Sequence, residues 1–225
     1  MTQLPLDLGH RTVFDGLDFH VAASNREAVA WLDRWPDWPA AALAIHGPAG
    51  SGKTHLAHVW AGRSGAVLLS AAALAGLDPH RTAAAGPVAI DDLGETPLDT
   101  AGERQLLHLY NGLVAAGHTL LLLGRRPPAR WPLRLADLRS RLAAIPSVAM
   151  AMPDDELFAA VLAKLFADRQ LAVGDDVLRY VGARVERSFE SARDIVTRLD
   201  QAALAAGRPV TLQLVRQILV QADGR

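Results

Sequence analysis

The chain has 225 residues, is 50% hydrophobic and 21% charged, and carries a formal net charge of −1. That is the make-up of a folded globular chain with one sizeable domain and a small appendage, and it excludes a disordered protein. The near-neutral balance does not point to nucleic acid as the main partner, and the absence of cysteine excludes disulfides and thiolate metal sites.

The opening MTQLPLDLGHR has neither a basic leader nor the apolar run of a signal peptide, and no later apolar stretch is long enough to span a bilayer. The expected location is therefore the cytoplasm. Trp31, Trp35 and Trp38 also stand out; Trp31 and Trp35, one helical turn apart, read as packing residues beneath a sheet, with a binding role as the alternative. From Leu43 onward, short apolar runs alternate with helical stretches. Leu43–His46, Val67–Ser70, Val88–Asp91, Thr119–Leu123 and Val148–Met150 read as strand cores, and Lys53–Gly62 and Glu103–Ala116 have helical spacing. Alternation of this kind predicts a parallel sheet with helices on both faces, a three-layer α/β domain.

His55 and His58 share a helical face, but no HExxH pattern accompanies them, so they read as surface or packing residues. Arg125, Arg126, Arg130, Arg134, Arg139 and Arg141 crowd one stretch, either as a solvated face or as a functional one. After Pro153 the pattern becomes purely helical. Asp154 and Asp155 open one helix, two more follow near Asp175–Arg184 and Ser188–Ala206, and Gly207-Arg208-Pro209 breaks the chain before the last at Thr211–Gln221. The boundary falls near Met152, and the remainder reads as a small all-helical lid.

Two segments carry chemistry. Gly47-Pro48-Ala49-Gly50-Ser51-Gly52-Lys53-Thr54 fits the GxxxxGK[ST] phosphate-loop pattern, and it follows a strand and opens a helix, as that mechanism requires. Its glycines allow successive N–H groups to curl around phosphate oxygens, and the helix N-terminus adds partial positive charge. Lys53 then reaches the β- and γ-phosphates and Thr54 offers its hydroxyl to Mg2+. The alternative is a glycine-rich turn without a ligand. Downstream, Val88-Ala89-Ile90-Asp91-Asp92 is an apolar strand ending in paired carboxylates. Asp91 suits the magnesium shell, through water, and Asp92 suits a base that orients an attacking water; the alternative is an acidic start to the next turn.

The stretch Phe14–Trp31 with Ser24-Asn25 and Ala28, the phosphate loop, the Asp91-Asp92 strand and Arg126-Pro127-Pro128 together resemble the DnaA family of AAA+ ATPases. By that resemblance, Leu138-Arg139-Ser140-Arg141-Leu142 is similar to the arginine-finger segment, with the finger at Arg141. Likewise Ser191-Ala192-Arg193-Asp194 is similar to the sensor 2 helix, with the nucleotide-facing arginine at Arg193. The DNA-binding helical domain that follows the lid in DnaA-like initiators has no counterpart before Arg225. Ahead of the ATPase segment, Gln3-Leu4-Pro5-Leu6-Asp7-Leu8 is similar to the short peptides that dock on the replicative sliding clamp, with Gln3, Leu4, Leu6 and Leu8 as anchors; a random apolar tail is the alternative.

That combination resembles the Hda-like regulators of the DnaA family. It implies a flexible clamp-binding peptide over 1–10, an AAA+ nucleotide-binding α/β domain over 11–152 and a helical lid over 153–225. The implied cofactors are ADP or ATP with Mg2+. The implied partners are the sliding clamp (the polymerase III β subunit) and DnaA, with DNA reached only through the clamp, no membrane, and a homo-oligomer open. The implied activity is stimulation of hydrolysis of DnaA-bound ATP, with Arg141 supplied in trans; a surface salt bridge is the alternative role for Arg141. One departure stands out: Leu122-Leu123-Gly124-Arg125 lacks the polar sensor 1 residue kept by relatives, which implies weak intrinsic hydrolysis. The competing readings are a self-sufficient AAA+ ATPase such as a helicase loader, and an initiator-like factor on DNA.

Overall fold

The computed structural model describes residues 20–223, and within them the chain forms two compact units. The first comprises residues 26–46 and 54–149, the second residues 20–25, 47–53 and 150–223. The segment Gln3–Leu8 lies outside the described residues.

The first unit is built on five parallel strands: β1 (Ala42–His46), β2 (Val67–Ser70), β3 (Val88–Leu93), β4 (Leu120–Gly124) and β5 (Ser147–Ala149), in the spatial order β2-β3-β4-β1-β5. Pairing is in register from Ala42 opposite Leu120 to His46 opposite Gly124, and Ala44 faces Ser147 on the other side. β4 is buried along its whole length and β1 over its first four residues, as expected of strands covered on both faces, whereas the edge strand β2 is exposed at Val67 and Ser70. The strand expected at Val67–Ser70 is found there, and the others shift by only a residue or two.

The helices of this unit are α1 (Arg26–Asp33), α2 (Lys53–Ser64, whose first residue groups with the second unit), α3 (Pro79–Ala85), α4 (Thr100–Ala116) and α5 (Ala136–Ala144). Their ends are set by local chemistry. Asp99 accepts from Gly102 N–H at 2.7 Å and starts α4, and Gly117, at φ +71°, ends it in the left-handed conformation that favours glycine. Leu106, Leu109 and Leu113 of α4 pack with Ile90, Leu93, Leu122, Leu138 and Leu142 in one core.

The tryptophans do pack, but on a centre that sequence spacing does not reveal. α1 ends at Asp33, so Trp35 lies beyond the helix rather than a turn along it from Trp31. Trp38 stacks on Trp60 of α2 (5.5 Å between centroids, 18° between planes), and Trp35 meets the same ring edge-on at 6.1 Å while donating its indole N–H to Thr119 Oγ1. Trp31 instead lies under the Arg34 guanidinium.

The second unit holds the all-helical segment: α6 (Asp155–Asp168), α7 (Asp175–Gly182), α8 (Phe189–Ala206) and α9 (Leu212–Asp223). Phe158, Leu162 and Phe166 recur every four residues on α6 and meet Ala192, Ile195, Val196 and Leu199 of α8, with Val177 and Val181 of α7 and Val215 of α9 closing the core. Asp154 caps α6 through Leu157 N–H at 2.8 Å, and Ser188 caps α8 through Ser191 N–H at 3.0 Å.

Trp60 is fully buried and anchors two other indoles. Trp60→Ala is expected to lower the stability of the chain by about 3–5 kcal/mol in urea unfolding. A loss below about 1 kcal/mol, the range of an ordinary surface substitution, would show that the aromatic cluster is not part of the cooperative core.

Candidate functional site

The chain leaves β1 at His46 and enters α2 at Lys53, so the phosphate loop forms the turn between a strand end and a helix start. Gly50 and Gly52 adopt φ +73° and +93°, which a side chain disfavours. Space enforces the same choice. A Cβ on Gly50 would run into the Ser188 side chain, and one on Gly52 would lie 2.8 Å from the Phe189 ring. The Phe189 N–H donates to the Gly50 carbonyl at 3.0 Å, so the first turn of α8 is bonded to the loop.

Lys53 is 8% exposed, and its ammonium lies within its own loop. It donates to the carbonyls of Gly47 (2.9 Å) and Pro48 (2.7 Å), with the Ser51 hydroxyl at 3.3 Å. A buried cation demands such partners, and these carbonyls hold the loop curled around it. In the first unit, Thr54 Oγ1 donates to Asp91 Oδ2 at 2.5 Å, and Asp91 Oδ1 accepts the N–H of Asp92 at 2.8 Å. The hydroxyl and carboxylate expected to share a magnesium shell are thus neighbours.

Asp92 is exposed, at φ +61°, and lines a cavity of about 670 Å³ with Glu95, Asp99 and Arg125. Arg125 pairs with Glu95 at 2.8 Å. Packing leaves no room for a side chain at Gly124. A Cβ on Gly124 would collide with the Leu93 carbonyl and lie 3.1 Å from the Trp131 ring, which also fills the space beside Gly94. Trp131, 4% exposed, is fixed there by its indole N–H on the Arg126 carbonyl at 2.7 Å.

Arg141 is exposed on α5 and donates through Nε to Asp137 at 2.9 Å. Arg193 is exposed on α8, the helix whose first turn meets the phosphate loop. Among the crowded arginines, Arg126, Arg130, Arg134 and Arg139 are likewise exposed. His55 is half-buried and His58 exposed, and among the described residues no group of three or more His, Asp or Glu has the arrangement of a metal site. The structure thus brings Gly47–Lys53 together with Ser188 and Phe189 in one unit, and Thr54 together with Asp91 in the other. Ser188 and Phe189 escaped sequence reading. The only local signal was the Ser188-to-Ser191 capping spacing, which announces a helix start but not what it lands on.

Residues 154–219 match the family model described as Hda, lid domain. Domain III of the Thermotoga maritima replication initiation protein DnaA superposes with a TM-score of 0.79 at 20% identity, over 91% of this chain and 94% of that one. A DNA replication initiation factor gives a TM-score of 0.73 at 15% identity, over 84% of this chain and 64% of that one. AMPPCP-bound DnaA from Aquifex aeolicus gives 0.67 at 17%, over 80% and 63%. This chain thus spans less than two thirds of the last two. A parallel five-stranded sheet with a phosphate loop after β1, joined to a helical lid, is the AAA+ fold, as in domain III of DnaA. The likeness to the Hda lid domain is confined to its helical segment, residues 154–219.

Gly52→Ala places a methyl group against Phe189 on a backbone that disfavours it, and is expected to cost about 1–3 kcal/mol in urea unfolding. Phe189→Ala in the same chain should recover the steric part only. An unchanged midpoint for Gly52→Ala would refute the contact.

Proposed function

We propose that this chain is an Hda-like regulator of replication initiation that binds adenine nucleotide and the sliding clamp and stimulates hydrolysis of ATP held by DnaA. The observation that carries the reading is an Hda-type lid at residues 154–219 on a chain whose phosphate loop is intact. Nucleotide binding is further supported by similar folds described as bound to AMPPCP, in DnaA, and to ADP, in the FIGL-1 AAA domain.

In this reading the N–H groups of Gly47–Thr54 hold the phosphates of ADP or ATP, with Lys53 leaving its carbonyl partners for phosphate oxygens. Arg193 adds charge at the terminal phosphate. Thr54 and Asp91, already hydrogen-bonded, suit the hydroxyl and carboxylate of a magnesium site. A magnesium ion held by them would supply neutralisation of phosphate charge. Asp92 is placed as a base for water, but Arg125, paired with Glu95, follows β4 where a polar group aimed at that water is needed. Intrinsic hydrolysis is accordingly weak, and the chain acts chiefly on its partner's nucleotide. Gln3, Leu4, Leu6 and Leu8 anchor it to the clamp in the cytoplasm, and Arg141 enters the active site of ATP-bound DnaA, where a guanidinium stabilises charge on the transferring phosphoryl oxygens. Among the described residues, no helix is long and apolar enough to cross a membrane.

A second reading, a self-sufficient ATPase such as a helicase loader, is favoured by the intact Asp91-Asp92 pair. The two separate in one assay of ATP hydrolysis by DnaA with clamp loaded on DNA. Arg141→Ala should still be retained on the clamp yet lose stimulation by about 10³–10⁵-fold, the worth of known fingers. Gln3→Ala/Leu4→Ala should lose retention and stimulation together. Normal stimulation by Arg141→Ala would remove the finger assignment, and a wild-type chain that hydrolyses ATP alone and ignores the clamp would establish the loader.

A further inference from the structure

Helix α4 presents an apolar stripe to the core, with Leu106, Leu109 and Leu113 at most 1% exposed, and Glu103 continues that stripe at 2%. A carboxylate buried this deeply is unfavourable unless donors meet both oxygens. They do. Oε1 accepts from Arg134 N–H at 2.9 Å, and Oε2 accepts from Leu135 N–H at 2.6 Å and from Arg134 N–H at 3.2 Å. Leu135 stands at the N-cap of α5, and its own side chain offers no cap. Glu103 therefore supplies, from another helix, both the acceptor and the negative charge that the start of α5 lacks.

α5 is also held by Leu138 and Leu142, each fully buried. On its exposed face, Asp137 Oδ1 accepts from Arg141 Nε at 2.9 Å, and the two terminal nitrogens of that guanidinium have no partner among the described residues. With side chains 43% and 53% exposed, this pair adds little stability. Its consequence is geometric: Nε is fixed while the two-pronged end that matches phosphate oxygens stays unengaged.

We propose that Glu103 and Asp137 are positioning residues for Arg141: Glu103 fixes where α5 starts, and Asp137 fixes the guanidinium before a phosphate reaches it. The inference rests on the reading of Arg141 as the arginine delivered to a partner's nucleotide. Ordering the side chain in advance removes a rotamer search from the stimulated step, so the effect belongs in the maximal rate and not in partner affinity.

The test uses the full chain in the clamp-dependent hydrolysis assay with DnaA. Asp137 is exposed, so Asp137→Ala folds whatever its effect on rate. It should lower the maximal stimulated rate roughly 2-fold, the worth of an exposed i,i+4 pair, at an unchanged half-saturating concentration. Asp137→Asn, whose amide oxygen still accepts from Nε, should recover most of that rate. Glu103→Gln, which keeps the shape and one acceptor, should also lower the maximal rate. In a ¹H–¹⁵N spectrum, the Arg141 Nε–H signal, assigned by its loss in Arg141→Lys, should exchange faster with solvent in Asp137→Ala. Wild-type rates in both Asp137→Ala and Glu103→Gln, with Arg141→Ala inactive, would overturn the positioning role and leave the finger in place. Full stimulation by Arg141→Ala would overturn the finger itself, and this inference with it.

Discussion

The amide of Phe189 donates to the carbonyl of Gly50 at 3.0 Å, so the turn that follows β1 and the first turn of α8 are held as one piece. The contact exists because Gly50 and Gly52 have no side chains: Ser188 and the Phe189 ring occupy the space that Cβ atoms would need. The same glycines give the loop its left-handed turns, the backbone curvature by which N–H groups can surround an anion. One pair of residues thus meets two demands, curvature for an anion and clearance for a lid helix. A ligand that reshapes the loop must act on α8, and anything that lifts α8 must loosen the loop.

How far this could be read from the amino-acid order depends on whether the relevant chemistry is local. The spacing of Gly47, Gly52, Lys53 and Thr54 is a local pattern, and so is the apolar run that stops at Asp91 and Asp92; both were legible, as were the parallel sheet and the helical lid. Contacts between distant segments were not. Nothing around Ser188 or Phe189 announces the phosphate loop, and nothing near Trp35 or Trp38 identifies Trp60 as the ring they share. Glu103 left a faint trace, an acid on the leucine stripe of α4, but its partners at Arg134 and Leu135 lie a long way down the chain. Gln3, Leu4, Leu6 and Leu8 lie beyond the described residues, so the structure adds nothing to their reading.

The distribution of charge around the sheet fits a chain that assists hydrolysis more than it performs it. At the end of β4, Trp131 fills the space against Gly94 and Gly124, and Arg125 is paired with Glu95. Arg141, by contrast, is exposed on α5, and among the described residues only its Nε is engaged. In the proposed reading the intact phosphate loop is a structural ligand site, with bound nucleotide fixing the loop and, through Gly50 and Phe189, the lid.

Amide hydrogen exchange of the full chain, with and without saturating ADP, tests this most directly. Exchange should slow across residues 47–54 and, in step with them, across residues 188–192, whose backbone joins the loop through the Gly50 carbonyl. Protection confined to the loop, or absent from both segments, would contradict it.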